Sequence, residues 1–146
     1  DEFLAIPQVH EQTKDGYAPV SGMELMTKAA FLLNEKSVKP ANCYYYRFAP
    51  DIPGEDHPGT FHSVDLWFFF ETLAKCWRPF VGRHYDLARQ MCNYWANDGK
   101  VLPKWNPYQE NDRAEMVFTA QGAKSGNEKN SKLMEFLLSD RIERMK

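Results

Sequence analysis

The sequence has no long hydrophobic run: no stretch of apolar residues exceeds the five of Leu66–Phe70. A membrane-crossing helix needs about 20, so no membrane span is expected. No signal-peptide pattern is visible either. Net charge is small, −2 at pH 7, and no basic cluster interleaves with aromatic residues. That argues against nucleic acid as a main partner. Cysteine is scarce, and Cys43, Cys76 and Cys92 stand at scattered spacings without a Cys-x-x-Cys pair or a Cys/His cluster of zinc type. Reduced, partly buried thiols in a cytoplasmic protein are the expectation, with no metal site and no disulfide framework. Internal repeats and low-complexity segments are absent. The first residue is Asp rather than Met, which is read as the mark of a cut, processed or trimmed chain whose upstream part lies out of view.

What is present is core-forming material. Of 146 residues, 43% are hydrophobic and 14% aromatic. The first few residues read as the end of a strand and its loop. Ser21 and Glu24 form a capping box, and Leu25, Met26, Ala29, Leu32 and Leu33 follow at helical spacing until Lys39-Pro40. Residues 42–48 hold the run Tyr44-Tyr45-Tyr46, which predicts a strand buried on both faces. A Pro- and Gly-rich loop covers 49–61. A helix is expected over 64–75, apolar nearly all round and therefore buried. Another is expected over 80–96, with Val81, Leu87, Ala88, Met91, Tyr94 and Trp95 inward. Residues 102–108 read as extended and proline-broken, 115–119 as a short edge strand, and 121–131 as flexible. A last helix over 131–144 places Leu133, Phe136, Leu137 and Ile142 on one side.

Strands separated by helices define an α/β class. Two or three strands are too few for an independent sheet. The chain therefore reads as the C-terminal part of a larger, mostly parallel sheet with flanking helices.

Four segments carry a family resemblance. They are Asp1-Glu2-Phe3, then Tyr45-Tyr46-Arg47-Phe48, then Gly59-Thr60-Phe61-His62-Ser63-Val64-Asp65-Leu66. The fourth is Tyr94-Trp95-Ala96-Asn97 with Leu102-Pro103-Lys104-Trp105-Asn106-Pro107-Tyr108. In this order they resemble the C-terminal third of the type-B carboxylesterases, α/β-hydrolases that include para-nitrobenzyl esterases and cholinesterases. The resemblance is strong over 40–108 and weak over 4–20 and 120–146. It implies that 1–146 form the C-terminal segment of one α/β-hydrolase domain, with the nucleophile-bearing part outside this chain.

The resemblance assigns His62 as the base of a Ser-His-Glu triad. A serine hydroxyl is a poor nucleophile until an imidazole takes its proton, and the same imidazole returns it to the leaving group. Glu2 is implied as the acid that orients that imidazole, with Asp1 as fallback, and α/β-hydrolases run serine, acid, histidine along the chain. Glu2 stands closer to His62 than the family's spacing, and the turn at 97–100 is shorter than the family's. Ser63 and Asp65 are read as support, with Asp65 at a helix start where it can accept backbone N–H groups of the His62 loop or simply complement the helix N-terminus. Phe61 and Trp67, flanking His62, are the expected substrate contacts.

Other candidates fall to plainer readings. His57 with Asp51, Glu55 and Asp56 matches no metal-ligand spacing and reads as a solvated acidic turn. His10 and His84 have no partner by spacing. Gly122-Ala123-Lys124-Ser125-Gly126 puts its serine one position late for Gly-x-Ser-x-Gly and is read as lacking both a preceding strand and a following apolar helix.

The expectation is an ester hydrolase that takes a small-molecule ester, uses no cofactor, and is inactive without its upstream part. That part would be a second chain or a missing segment, and it would pair with strand 42–48. A non-catalytic relative serving as a binding or adhesion module is the alternative. A free-standing helical interaction domain is disfavoured by the Tyr-rich strand and its long loop.

Overall fold

The computed structural model describes residues 2–9, 20–97, 101–127 and 129–145. They divide into two compact units. One comprises Asp1–Cys43, Tyr108–Arg113 and Glu128–Lys146; the other comprises Tyr44–Pro107 and Ala114–Asn127. Among the described residues no helix is long and apolar enough to cross a membrane.

In the first unit two helices share a small core. Helix α1 (Gly22–Glu35) is capped by Ser21, whose hydroxyl accepts the Glu24 N–H at 3.4 Å. Ser131 caps the last helix in the same way, accepting the Met134 N–H at 3.1 Å. Each bond satisfies a backbone donor that a helix start would otherwise leave open. Ala29 packs on Met134 and Leu138, with Val20, Leu25 and Ile142 around them. Met26, expected inward, is exposed. Lys28 is buried instead, its ammonium donating to Glu24 at 2.6 Å and to Asn130 at 2.8 Å. Residues Phe3–Ala5 and Pro7–Val9 form 3₁₀ turns, not the expected strand end. The turn bonds are local, and the Phe3 ring rests on Phe136 at 5.6 Å.

The second unit is a three-stranded sheet with helices. Strand β1 (Tyr45–Phe48) runs parallel to β2 (Ala114–Thr119), which pairs antiparallel with β3 (Gly122–Asn127), in the order β1-β2-β3. A parallel pair needs a long crossover. Here the crossover contains the His62 loop, α2 (Asp65–Phe69), a 3₁₀ turn at Leu73–Lys75 and α3 (Gly82–Ala96). The final helix of the chain, in the first unit, is α4 (Lys132–Arg144).

Several expectations are corrected. The segment 115–119 is the central strand rather than an edge, with Met116 and Phe118 fully buried. Its Glu115 carboxylate is buried and bonded to Arg47 at 3.3 Å. The segment 121–131 is largely β3, a hairpin partner of β2. Gly122 sits at φ 111°, where a side chain would be strained, and lets the chain turn back. Strand β1 begins at Tyr45 and is only half-buried. Its Tyr46 ring lies inward, edge-on to Phe69, Trp95 and Phe118 at 5.5, 5.7 and 5.9 Å. Tyr44 is 41% exposed.

The expected long helix over 64–75 is short. After Phe69 the chain closes a Schellman turn: Thr72 N–H donates to the Trp67 carbonyl at 2.9 Å and Glu71 N–H to that of Phe68 at 3.2 Å. Glu71 takes φ 49° to make it. Consequently Leu66 and Phe70 are exposed, while Val64, Phe68 and Leu73 enter the core beside Leu87 and Met91. On α3 the inward face is His84, Leu87, Ala88, Met91 and Tyr94, and Val81 and Trp95 lie outside. Trp105, in the extended 102–107 segment, is buried and donates from Nε1 to the Tyr45 carbonyl at 3.1 Å.

Candidate active site

The loop after β1 is built by short-range bonds and one long-range clamp. Ala49 N–H donates to the Phe118 carbonyl at 2.8 Å, extending the β1–β2 ladder. Ile52 then enters the core, and the Thr60 hydroxyl donates to the Pro50 carbonyl at 2.9 Å, closing the loop on itself. Gly59 turns the chain at φ 60°, and His57 does so at φ 43° without glycine's freedom. Arg78, buried, donates to both carboxylate oxygens of Asp56 at 2.9 Å and to the Pro53 carbonyl at 3.0 Å. Its guanidinium also lies 5.3 Å from the Phe61 ring centre. The Asp56 carboxyl is held below its ordinary pKa, first by the hydrogen bonds from Arg78. Asp56 thus has a partner, and the acidic turn around His57 is an arginine clamp.

His62 follows directly. It is exposed, and no described residue hydrogen-bonds its ring. Ser63, also exposed, takes the left-handed conformation at φ 64°, which is sterically costly for a residue with a Cβ. That kink separates the exposed His62 from Val64, which is 1% exposed. The next residue, Asp65, accepts the Tyr46 hydroxyl at 2.7 Å, a side chain of β1 rather than a backbone N–H of the His62 loop. Burial, then the bond and charge of Asp65, push the Tyr46 phenol well above its ordinary pKa, so the phenol stays protonated as donor. Phe61 and Trp67 meet edge to face at 6.0 Å.

His62, Ser63, Asp65, Phe61 and Trp67 therefore belong to one continuous segment of the second unit. Glu2 belongs to the first unit, exposed at the turn before Phe3–Ala5. Asp1, His10 and the 98–100 turn lie outside the described residues. An apolar cavity of about 650 Å³ is lined by Tyr46, Leu66, Phe69, Phe70, Cys92, Trp95 and Ala96. Phe61 and Trp67 are not on that wall. The Cys92 thiol donates to the Phe69 carbonyl at 2.9 Å, and burial raises its pKa. A strand, β2, does precede the 122–126 segment, against expectation, but Ser125 lies within β3 and not at a strand-to-helix turn.

Sequence reasoning missed three residues here. Arg78 carries no signal of its own in the sequence, because its partners lie far away along the chain. Tyr46 read as strand hydrophobicity, its hydroxyl unassigned. His84 seemed partnerless, yet it is 1% exposed and its Nδ1 accepts the Val81 N–H at 2.9 Å. A polar residue at the third helical position is a capping-box signal, which histidine can supply in place of Glu.

No family model matches the sequence, and no curated protein matches it. A solved structure does resemble it: an esterase from anaerobic Clostridium hathewayi, described as able to hydrolyse aliphatic aromatic polyesters. The match has a TM-score of 0.51 and 16% identity, and covers 88% of this chain. It spans 34% of the esterase, so the chain corresponds to about a third of that protein's length. At this identity the likeness is one of fold: a mixed α/β arrangement shared with part of an esterase.

Proposed function

We propose that this chain is the C-terminal portion of an α/β-hydrolase related to the type-B carboxylesterases, and that the whole protein hydrolyses carboxylic esters through an acyl-enzyme. The observation that carries the reading is His62. Its ring is exposed and takes no hydrogen bond from a described residue, while Phe61 just before it lies against Arg78 and Asp65, three residues on, is bonded to Tyr46. A general base needs that combination: a held backbone and an imidazole available to a proton. The likeness of fold to an esterase adds support.

In this reading His62 takes the proton of a serine hydroxyl as the serine attacks the ester carbonyl. It then gives that proton to the leaving alcohol, and repeats the cycle with water. Glu2 orients the imidazole and stabilises its charged form. The serine and the oxyanion-hole amides come from an upstream part of the same hydrolase, as a second chain or a contiguous segment. No cofactor is called for. The substrate is a small-molecule ester, with Phe61 and Trp67 beside the reacting group.

The test is hydrolysis of p-nitrophenyl butyrate by the whole protein. His62→Ala should lower kcat by ~10³–10⁶ with little loss of stability. A variant keeping more than about a tenth of the parent activity would rule out this role. A folded parent protein with no hydrolysis at all would favour the non-catalytic binding module.

A further inference from the structure

We propose that Arg78 is a positioning residue for His62. It holds the 53–61 loop in one conformation, so that the imidazole sits where proton transfer requires it. The proposal rests on the hydrolase reading above.

Three features carry it. First, apart from the ring of its neighbour Trp77 at 4.5 Å, the contacts of Arg78 converge on one loop, and they do so at separated points. Asp56 is held by both oxygens, Pro53 by its carbonyl, and Phe61 by its ring face. Phe61 is the residue just before His62. A planar guanidinium can make a forked bond, a third bond and a stacking contact together, whereas an ammonium cannot. Second, the ion pair fills the space beside the Gly54 backbone. A Cβ placed on Gly54 would run into the Asp56 carboxylate and the Arg78 guanidinium. Third, the arginine is the buried partner and the acid the half-exposed one, with side chains 7% and 51% exposed. The loop is thus tied down to a fixed point below it. Beyond Phe61 the chain reaches Ser63 in a left-handed conformation, which persists only where surrounding contacts enforce it. Misplacing a reacting group by about 1 Å can cost on the order of 10²-fold in rate. A loop freed at Asp56 would allow displacements of that size.

The experiment uses the whole protein with Arg78→Lys, Asp56→Asn and His62→Ala. It reads kcat, KM and the hydrogen–deuterium exchange of amides 54–63. Arg78→Lys should lower kcat by ~10–100-fold with KM changed less than about twofold, and loop amides should exchange ~10-fold faster. Asp56→Asn should give a smaller change in the same direction. It changes a half-exposed side chain, so it decides the matter even if Arg78→Lys fails to fold. Should the folded variants keep kcat within about twofold of the parent while His62→Ala is inactive, Arg78 is structural only and this proposal is overturned alone. Activity retained in His62→Ala overturns the hydrolase reading and this proposal with it.

Discussion

The Tyr46 hydroxyl donates to Asp65 Oδ2 at 2.7 Å, tying the middle of β1 to the first turn of α2. The bond crosses from sheet to helix three residues beyond His62, and the Arg78 contacts lie on the loop before it. It is charge-assisted and half-buried, the kind of hydrogen bond that contributes most.

Tyr46→Phe keeps the ring packing and removes the donor. It should cost about 1.5–3 kcal/mol, the range for a bond to a charged group. Asp65→Asn should cost less, because the amide oxygen still accepts. Urea denaturation of each variant checks the order. An Asp65→Asn protein less stable than Tyr46→Phe would mean that the Asp65 charge serves mainly the start of α2.

Glu2→Gln should preserve shape while removing the charge that would stabilise an imidazolium. The expected loss in kcat is on the order of 10²–10⁴. Asp1→Asn made in parallel decides the register. If Asp1→Asn is the crippling change and Glu2→Gln is mild, the acid is one residue earlier.

His84 gives stability a pH dependence with a definite sign. Burial lowers its folded pKa below the ordinary 6.5, and the neutral ring is what accepts the Val81 N–H. The unfolded chain therefore binds a proton more readily than the folded one. The contribution of His84 is complete above about 6.5 and is lost as pH falls from there through the lower folded value. His84→Gln, which can still accept at this helix position, should flatten the dependence of unfolding free energy below pH 6.5. An unchanged slope would assign the acid sensitivity elsewhere.

Glu71 closes the Schellman turn after α2 with φ 49°, a conformation glycine adopts without steric cost. Glu71→Gly should stabilise the protein by about 0.5–1 kcal/mol, less the entropy glycine adds to the unfolded chain. A fall in melting temperature would mean that the Glu71 side chain matters more than its backbone strain.

What was legible in the sequence followed local chemistry. Ser21 with Glu24 announces a helix start, and the Ser21 hydroxyl accepts the bond the pattern implies. The Pro- and Gly-rich composition before His62 marks a loop, and there is one. Long-range chemistry was hidden. Nothing near Arg78 in sequence points to Asp56, and nothing near Glu115 reveals that Arg47 lets it lie in a central strand. The break at Glu71 was invisible for another reason. The residue is a poor choice for a left-handed cap, so the apolar pattern ran on past the true helix end. Aromatic density misled at Tyr44, where composition says buried and the ring is partly exposed.

The hairpin that ends the sheet has a consequence for how the protein behaves in a crowd. Strand β3 presents Lys124, Ser125 and Gly126, exposed, beyond the central β2. A sheet grows by recruiting another strand to an open border, and flat apolar borders recruit best. A border made of glycine, serine and a lysine offers little to bury and carries a charge that must be stripped of water. Growth on that side is discouraged by composition alone, and the aromatic strand β1 lies at the opposite end of the sheet.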